Sequence, residues 1–121
     1  MSYVIGYRCT LCNEFYPKEK ELLTCPSCKD KGILDIEYDY AKIKKVFNQE
    51  VLIGNKDYSI WRYLPLLPVE EEFTKNTLRI GFTPLLRSNK LGEMYGIKNL
   101  YFKDDGQNPT QSLKDRASVI A

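Results

Sequence analysis

The side chains whose types and spacing could do chemistry lie near the two ends of this sequence. Cys9-Thr10-Leu11-Cys12 and Cys25-Pro26-Ser27-Cys28 hold all four cysteines, with twelve residues between the pairs. Each CxxC turn presents two thiolates, and two such knuckles complete a tetrahedron of sulfur around a zinc ion. Four protein ligands leave no open coordination position, so a zinc held this way is structural. The competing readings are a pair of disulfides or a redox dithiol. Both fit poorly with a chain of cytosolic character. Asn13 directly follows the first knuckle, where a residue tolerant of left-handed backbone is needed.

Near the other end runs Gly106-Gln107-Asn108-Pro109-Thr110-Gln111-Ser112-Leu113-Lys114-Asp115-Arg116. The pattern predicts a polar turn and then a helix capped by Ser112, with Asp115 answering it in a capping box. Leu113, Ala117 and Ile120 recur at helical spacing and predict an apolar face. Lys114 then sits in the first turn, where unpaired N–H groups and the positive end of the helix dipole disfavour a cation. That setting pushes the amine towards its neutral, nucleophilic form. Neutral lysines form Schiff bases with carbonyl compounds and with pyridoxal phosphate. The plainer alternative is an ordinary solvated surface lysine.

Composition narrows the classes. The 121 residues are 43% hydrophobic, enough for one compact domain or a small module plus part of a larger one. Eighteen basic and sixteen acidic residues are mixed along the chain and leave a formal charge of +2. That is no footprint for nucleic acid or an anionic membrane. Four thiolates around Zn²⁺ would bring the formal charge to neutral. Arg8, Lys18, Lys20, Lys29 and Lys31 would offset the local anionic centre, although a ribbon that binds nucleic acid remains an alternative. The absence of histidine removes the commonest general base. The seven glycines are scattered singly, so no glycine-rich phosphate cradle is expected. No apolar run reaches the roughly 18 residues of a membrane span, and no secretory signal opens the chain. The expected location is cytoplasmic.

The elements that would position these residues follow from patterning. Tyr3 to Arg8 and Ile33 to Tyr38 are expected strands flanking the knuckles in a zinc ribbon. Tyr40 to Asn48 is expected to form a helix with Tyr40, Ile43, Val46 and Phe47 on one side. Gly54 to Asp57 forms a turn, and Asp57 caps a short helix through Trp61 and Tyr63 that stops before Pro65. Glu70 to Glu72 is an acidic, solvated connection. Thr83 to Leu86 is expected to be extended, and Ser88 caps a helix that ends at Gly96. Leu100 to Phe102 is expected to be a buried strand, and the final helix is expected to run to Ala121. A strand, a polar loop and a helix start is how α/β enzymes present ligand contacts. No second half of a crevice follows, which gives the expectation of a truncated chain.

Three segments resemble the threonine synthases, pyridoxal-phosphate enzymes of fold type II. Trp61-Arg62-Tyr63 with Leu66-Leu67-Pro68 is similar to that family's WRY…LLP segment. Gly81-Phe82-Thr83-Pro84-Leu85 is similar to its GxTPL segment. Leu100 to Gly106, followed by Asn108-Pro109-Thr110, Ser112 and Lys114-Asp115-Arg116, resembles its strand, NPTxSxKDR turn and helix. The order and spacing agree, and some members carry an N-terminal zinc ribbon. Gln111 and Leu113 depart from the usual Gly and Phe. The resemblance implies an α/β protein in three parts: a zinc ribbon at 1–38, a connecting helical segment at 39–77 and the incomplete start of a catalytic domain at 78–121. It implies Lys114 as the catalytic and cofactor-binding residue for pyridoxal phosphate, and Cys9, Cys12, Cys25 and Cys28 as ligands of Zn²⁺. Asn108, Thr110 and Ser112 would shape the turn, Asp115 would support the helix start, and Arg116 would pair with an acidic neighbour. The implied reaction converts O-phospho-L-homoserine and water into L-threonine and phosphate, with these residues alone inactive and prone to self-association. Two alternatives stand beside it: a free zinc-ribbon adaptor for nucleic acid or protein, and a paralogue performing β-replacement, such as cysteate formation.

Overall fold

A computed structural model describes residues 2–20, 22–74 and 78–121. It is a mixed α/β structure in which every strand pairing among the described residues is antiparallel. The chain divides into two compact units. The first comprises Met1–Gly54 with Tyr63–Phe73, and the second Asn55–Arg62 with Thr74–Ala121. The sequence boundary placed at residue 77 falls outside the described residues.

In the first unit, β1 (Val4–Cys9) is the central strand, flanked by β2 (Phe15–Pro17) and β3 (Leu34–Tyr38). The two longer strands match the expected ones to within a residue. The third, β2, was not expected, because Phe15-Tyr16-Pro17 is too short to show a period of two. Its register sets Tyr7 opposite Tyr16 and Arg8 opposite Phe15. The core is small: Cys9, Tyr16 and Cys25 are buried, and Leu22, Cys28 and Leu34 pack against them.

The expected helix is α1 (Tyr40–Val46), capped by Asp39, whose carboxylate accepts the Lys42 N–H at 3.0 Å. Ile43 is its buried residue, while Tyr40 and Val46 remain exposed. A second helix, α2 (Gln49–Gly54), occupies part of what was expected to be a turn; Asn48 caps it by accepting the Val51 N–H. The 3-10 segment Ile60–Leu66 passes through Pro65 instead of stopping before it, with non-helical backbone at Tyr63. Its cap is Ser59, not Asp57: the Ser59 hydroxyl accepts the Trp61 N–H and donates to Asp57. A 3-10 turn at Glu71–Thr74 shapes part of the acidic run, and Glu70 accepts the Ser2 N–H.

In the second unit, β4 (Leu85–Arg87) and β5 (Tyr101–Lys103) pair antiparallel across α3 (Asn89–Tyr95). The helix ends as expected at Gly96, in left-handed backbone with φ 68°. Ser88 occupies the cap position but makes no capping hydrogen bond with its side chain. Contrary to expectation, Tyr101 and Phe102 are about half exposed, at 47% and 48%. An apolar run says that a strand wants cover but not whether the residues beside it supply any. The last helix, α4 (Asp115–Ser118), is a single turn and does not continue to Ala121.

Candidate functional site

The four cysteine Sγ atoms lie within 4.8 Å of one another. Zn–S bonds of about 2.3 Å put the corners of a sulfur tetrahedron about 3.8 Å apart. The 3.7 Å between Cys12 Sγ and Cys25 Sγ matches that spacing and is far too long for a disulfide. All four cysteines are free thiols, so the paired-disulfide reading is set aside. The group can hold a metal ion such as zinc.

The two knuckles are built alike. The Asn13 N–H donates to the Cys9 carbonyl, and the Lys29 N–H to the Cys25 carbonyl. Leu11 N–H points at Cys9 Sγ and Cys28 N–H at Cys25 Sγ, each at 3.4 Å. Asn13 has φ 60° as anticipated, and Lys29, its counterpart after the second knuckle, has φ 53°. The shared position after the second cysteine was the signal that could have identified Lys29. Gly32 closes the cradle: a Cβ there would lie 2.4 Å from Cys25 Cβ, 2.7 Å from Cys28 Cβ and 3.1 Å from Cys9 Sγ. Only a residue without a side chain leaves room for the sulfur cluster.

Electrostatics of the cluster favour a cation. Burial works to raise the Cys25 thiol, yet hydrogen bonds from Tyr16, the Cys28 N–H and the thiols of Cys9 and Cys12 outweigh it and bring Cys25 to about 6. Cys28 is pushed up to about 12, first by its hydrogen bond with Cys12 and then by burial. Sulfurs this close compete to stay anionic, and a divalent ion relieves that competition. Arg8, expected merely to offset the anionic centre, pairs with Glu37 across the sheet and donates to the Asn13 carbonyl at 2.8 Å. It thereby supports the first knuckle. Tyr16 also borders Cys25, and Glu14 and Ser27 meet its hydroxyl. Sequence reasoning missed them, because nothing in their spacing shows that β2 folds back over the second knuckle.

The lysine loop lies in the second unit. Lys114 is exposed, and among the described residues no hydrogen bond or ion pair engages its amine. Its backbone N–H donates to Ser112 Oγ at 3.2 Å, so Ser112 braces the turn before the helix but does not occupy the expected cap position, which falls to Lys114. Asp115 does not answer Ser112, as the capping box required. Its carboxylate is buried and accepts both the N–H and the hydroxyl of Thr110. Position 110 wins because Gln111 turns left-handed, with φ 57°, and folds the loop back on the carboxylate. Lys114 stands at the cap position of a one-turn helix, which carries only a fraction of a long helix's dipole. Leu113 is 68% exposed and Ala117 is exposed too, so the expected apolar face is not buried.

A second cluster anchors the loop. Arg116 donates through Nε to Asp105 Oδ2 at 2.9 Å and through Nη2 to Asp105 Oδ1 at 2.8 Å. Thr83 Oγ1 donates to the same carboxylate at 2.6 Å, and Arg116 also reaches Thr83 at 3.1 Å. The Arg116 and Thr83 hydrogen bonds hold the Asp105 carboxyl well below the usual carboxylate range. Buried Asn108 accepts the Gly81 N–H at 3.0 Å and donates to the Asp105 carbonyl. Gly81 has φ 82°, and a Cβ on it would lie 3.1 Å from both Arg116 and the Ile60 backbone nitrogen. The acidic neighbour foreseen for Arg116 is thus Asp105. The pairing of Asp105 rather than Asp104 was not legible in the run Lys103-Asp104-Asp105-Gly106. The motif residues around Lys114 hold one another and leave the amine outside their network.

No family profile matches the chain, and no solved structure matches it. Among curated proteins it is 42% identical to a threonine synthase of Methanocaldococcus jannaschii over 93% of its own length, and 41% identical to one of Methanosarcina acetivorans over the same share. A threonine synthase of Halalkalibacterium halodurans is 44% identical over 52% of the chain. The chain spans about a quarter of the length of the first two relatives, 27% and 26%. No helix among the described residues is long and apolar enough to cross a membrane.

Proposed function

Because this chain is homologous to the N-terminal part of the threonine synthases, we propose that it forms the N-terminal quarter of such an enzyme. Its parent is then a pyridoxal-phosphate-dependent lyase of fold type II that converts O-phospho-L-homoserine and water into L-threonine and phosphate in the cytoplasm. The observation that carries this reading is the 42% identity over 93% of the chain. Cys9, Cys12, Cys25 and Cys28 hold a structural Zn²⁺ with no position left for substrate.

Lys114 is the residue that would hold the cofactor. Its exposed amine, unengaged among the described residues, fits an aldehyde partner, and the loop around it is tied at Thr110, Asn108 and Arg116. When bound, pyridoxal phosphate supplies an electron-withdrawing ring that spreads negative charge developing on the substrate's carbon atoms. With the cofactor in place, Lys114 Nζ would carry protons to and from those carbons. Thr110 and Asp115 hold the backbone that aims it.

In the protein that joins these residues to the remainder of the enzyme, Lys114→Ala is expected to abolish phosphate release from O-phospho-L-homoserine. Undiminished release would overturn the reading. The 121 residues alone are expected to show no stable visible band with pyridoxal phosphate. A band that Lys114→Ala removes would contradict that. With Leu85, Leu86, Phe102 and Leu113 more than about half open to solvent or nearly so, the isolated chain is expected to self-associate. Sedimentation showing a monomer at every concentration would count against this.

A further inference from the structure

Tyr16 is 5% exposed, and its ring belongs to the small core around Cys9 and Cys25. Its hydroxyl donates to Glu14 Oε2 at 2.8 Å and lies 3.3 Å from both Cys25 Sγ and Ser27 Oγ. Ser27 Oγ itself donates to Glu14 Oε2 at 2.7 Å. Two hydroxyl protons therefore serve two anionic acceptors, a carboxylate and a sulfur. By contact length both hydroxyls favour Glu14, but among the described residues only the tyrosine has a sulfur within reach, so its proton is the one that can turn. A metal-bound Cys25 carries no proton and can only accept. It already accepts a backbone N–H from Cys28, and Cys9 accepts one from Leu11. Cys25 alone of these two buried sulfurs has a side-chain hydroxyl within reach among the described residues.

We propose that Tyr16 is a positioning residue of the metal centre: its O–H donates to the Cys25 sulfur once metal is bound, and Glu14 competes for that proton. The inference rests on the four cysteines holding a metal and is independent of any role for Lys114. A donor to a coordinating thiolate stabilises its lone pairs and orients the sulfur, and outer contacts of this kind typically change metal affinity by about 10- to 100-fold.

The test uses the 121-residue chain loaded with Zn²⁺ and, separately, with Co²⁺. Tyr16→Phe keeps the ring and removes only the O–H. It is expected to speed zinc release to a chelator by about tenfold and to move the sulfur-to-cobalt charge-transfer band to lower energy. Glu14→Ala removes the competing acceptor and is expected to move the band the opposite way. A purely structural tyrosine would alter release without moving the band. Unchanged release and band in Tyr16→Phe, or shifts of the same sign in both variants, would overturn the proposal. Should Tyr16→Phe fail to fold, an unmoved band in Glu14→Ala overturns it alone, and a shift to higher energy supports it. Absence of any thiolate–cobalt band in the unaltered chain would remove the metal centre itself, a failure distinct from the others.

Discussion

Asp105 shows how one carboxylate can order a loop. Its two oxygens take three hydrogen bonds from Arg116 and a fourth group, Thr83, and these partners hold its folded-state pKa below the ordinary value. A depressed carboxylate contributes stability that is present above its unfolded pKa, about 3.9, and is lost as pH falls through the lower folded value. The destabilisation caused by Asp105→Asn should therefore stay level above about pH 5 and shrink as the pH drops below about 4. Urea unfolding of both proteins across that range measures it. A difference that grows towards acid would show that the pairing is not what shifts Asp105. Lys114, two residues before Arg116, has an exposed amine that no hydrogen bond or ion pair engages among the described residues.

At the scale of elements, the first unit depends on few buried groups. Ile43 is the buried residue of α1 and is only 3% exposed. Ile43→Ala should cost about 2–4 kcal/mol in the metal-loaded chain, since truncation removes transferred apolar area and leaves a cavity. A loss below about 1 kcal/mol in the urea midpoint would mean that the helix contributes little to that unit. The helix itself was legible in the period of Tyr40, Ile43, Val46 and Phe47. β2 and α2 were not. One is too short to carry a period, and the other runs through Gly54, a residue that reads as a turn. The failed capping box has a similar origin. Ser112 and Asp115 have its spacing, but Thr110 reaches the carboxylate first because the loop folds back at Gln111.

For the molecule as a whole, a core made of Cys9, Tyr16 and Cys25 with a few flanking residues is too small to hold three strands without help. Metal binding should therefore be folding for the ribbon. Chelation of zinc is expected to abolish hydrogen-exchange protection in β1 to β3, and Cys9→Ser should do the same. The unaltered protein should carry about one zinc per chain. Protection that survives chelation would show that the sheet stands on its own packing.

The four-cysteine cluster that can hold a metal ion was determined by the sequence, because CxxC spacing is a local geometric device whose meaning survives any surrounding fold. So were the strands that flank the knuckles and the turn that carries Lys114, since both depend on neighbours in the chain. The tertiary structure decided what long-range closure alone can decide. It chose Tyr16 to lie against Cys25, Gly32 to leave space for the sulfurs, and Asp105 over Asp104 to bind Arg116 and Thr83. It also left Tyr101, Phe102 and Leu113 uncovered. Periodicity records which residues prefer burial; only packing between distant segments determines which of them obtain it.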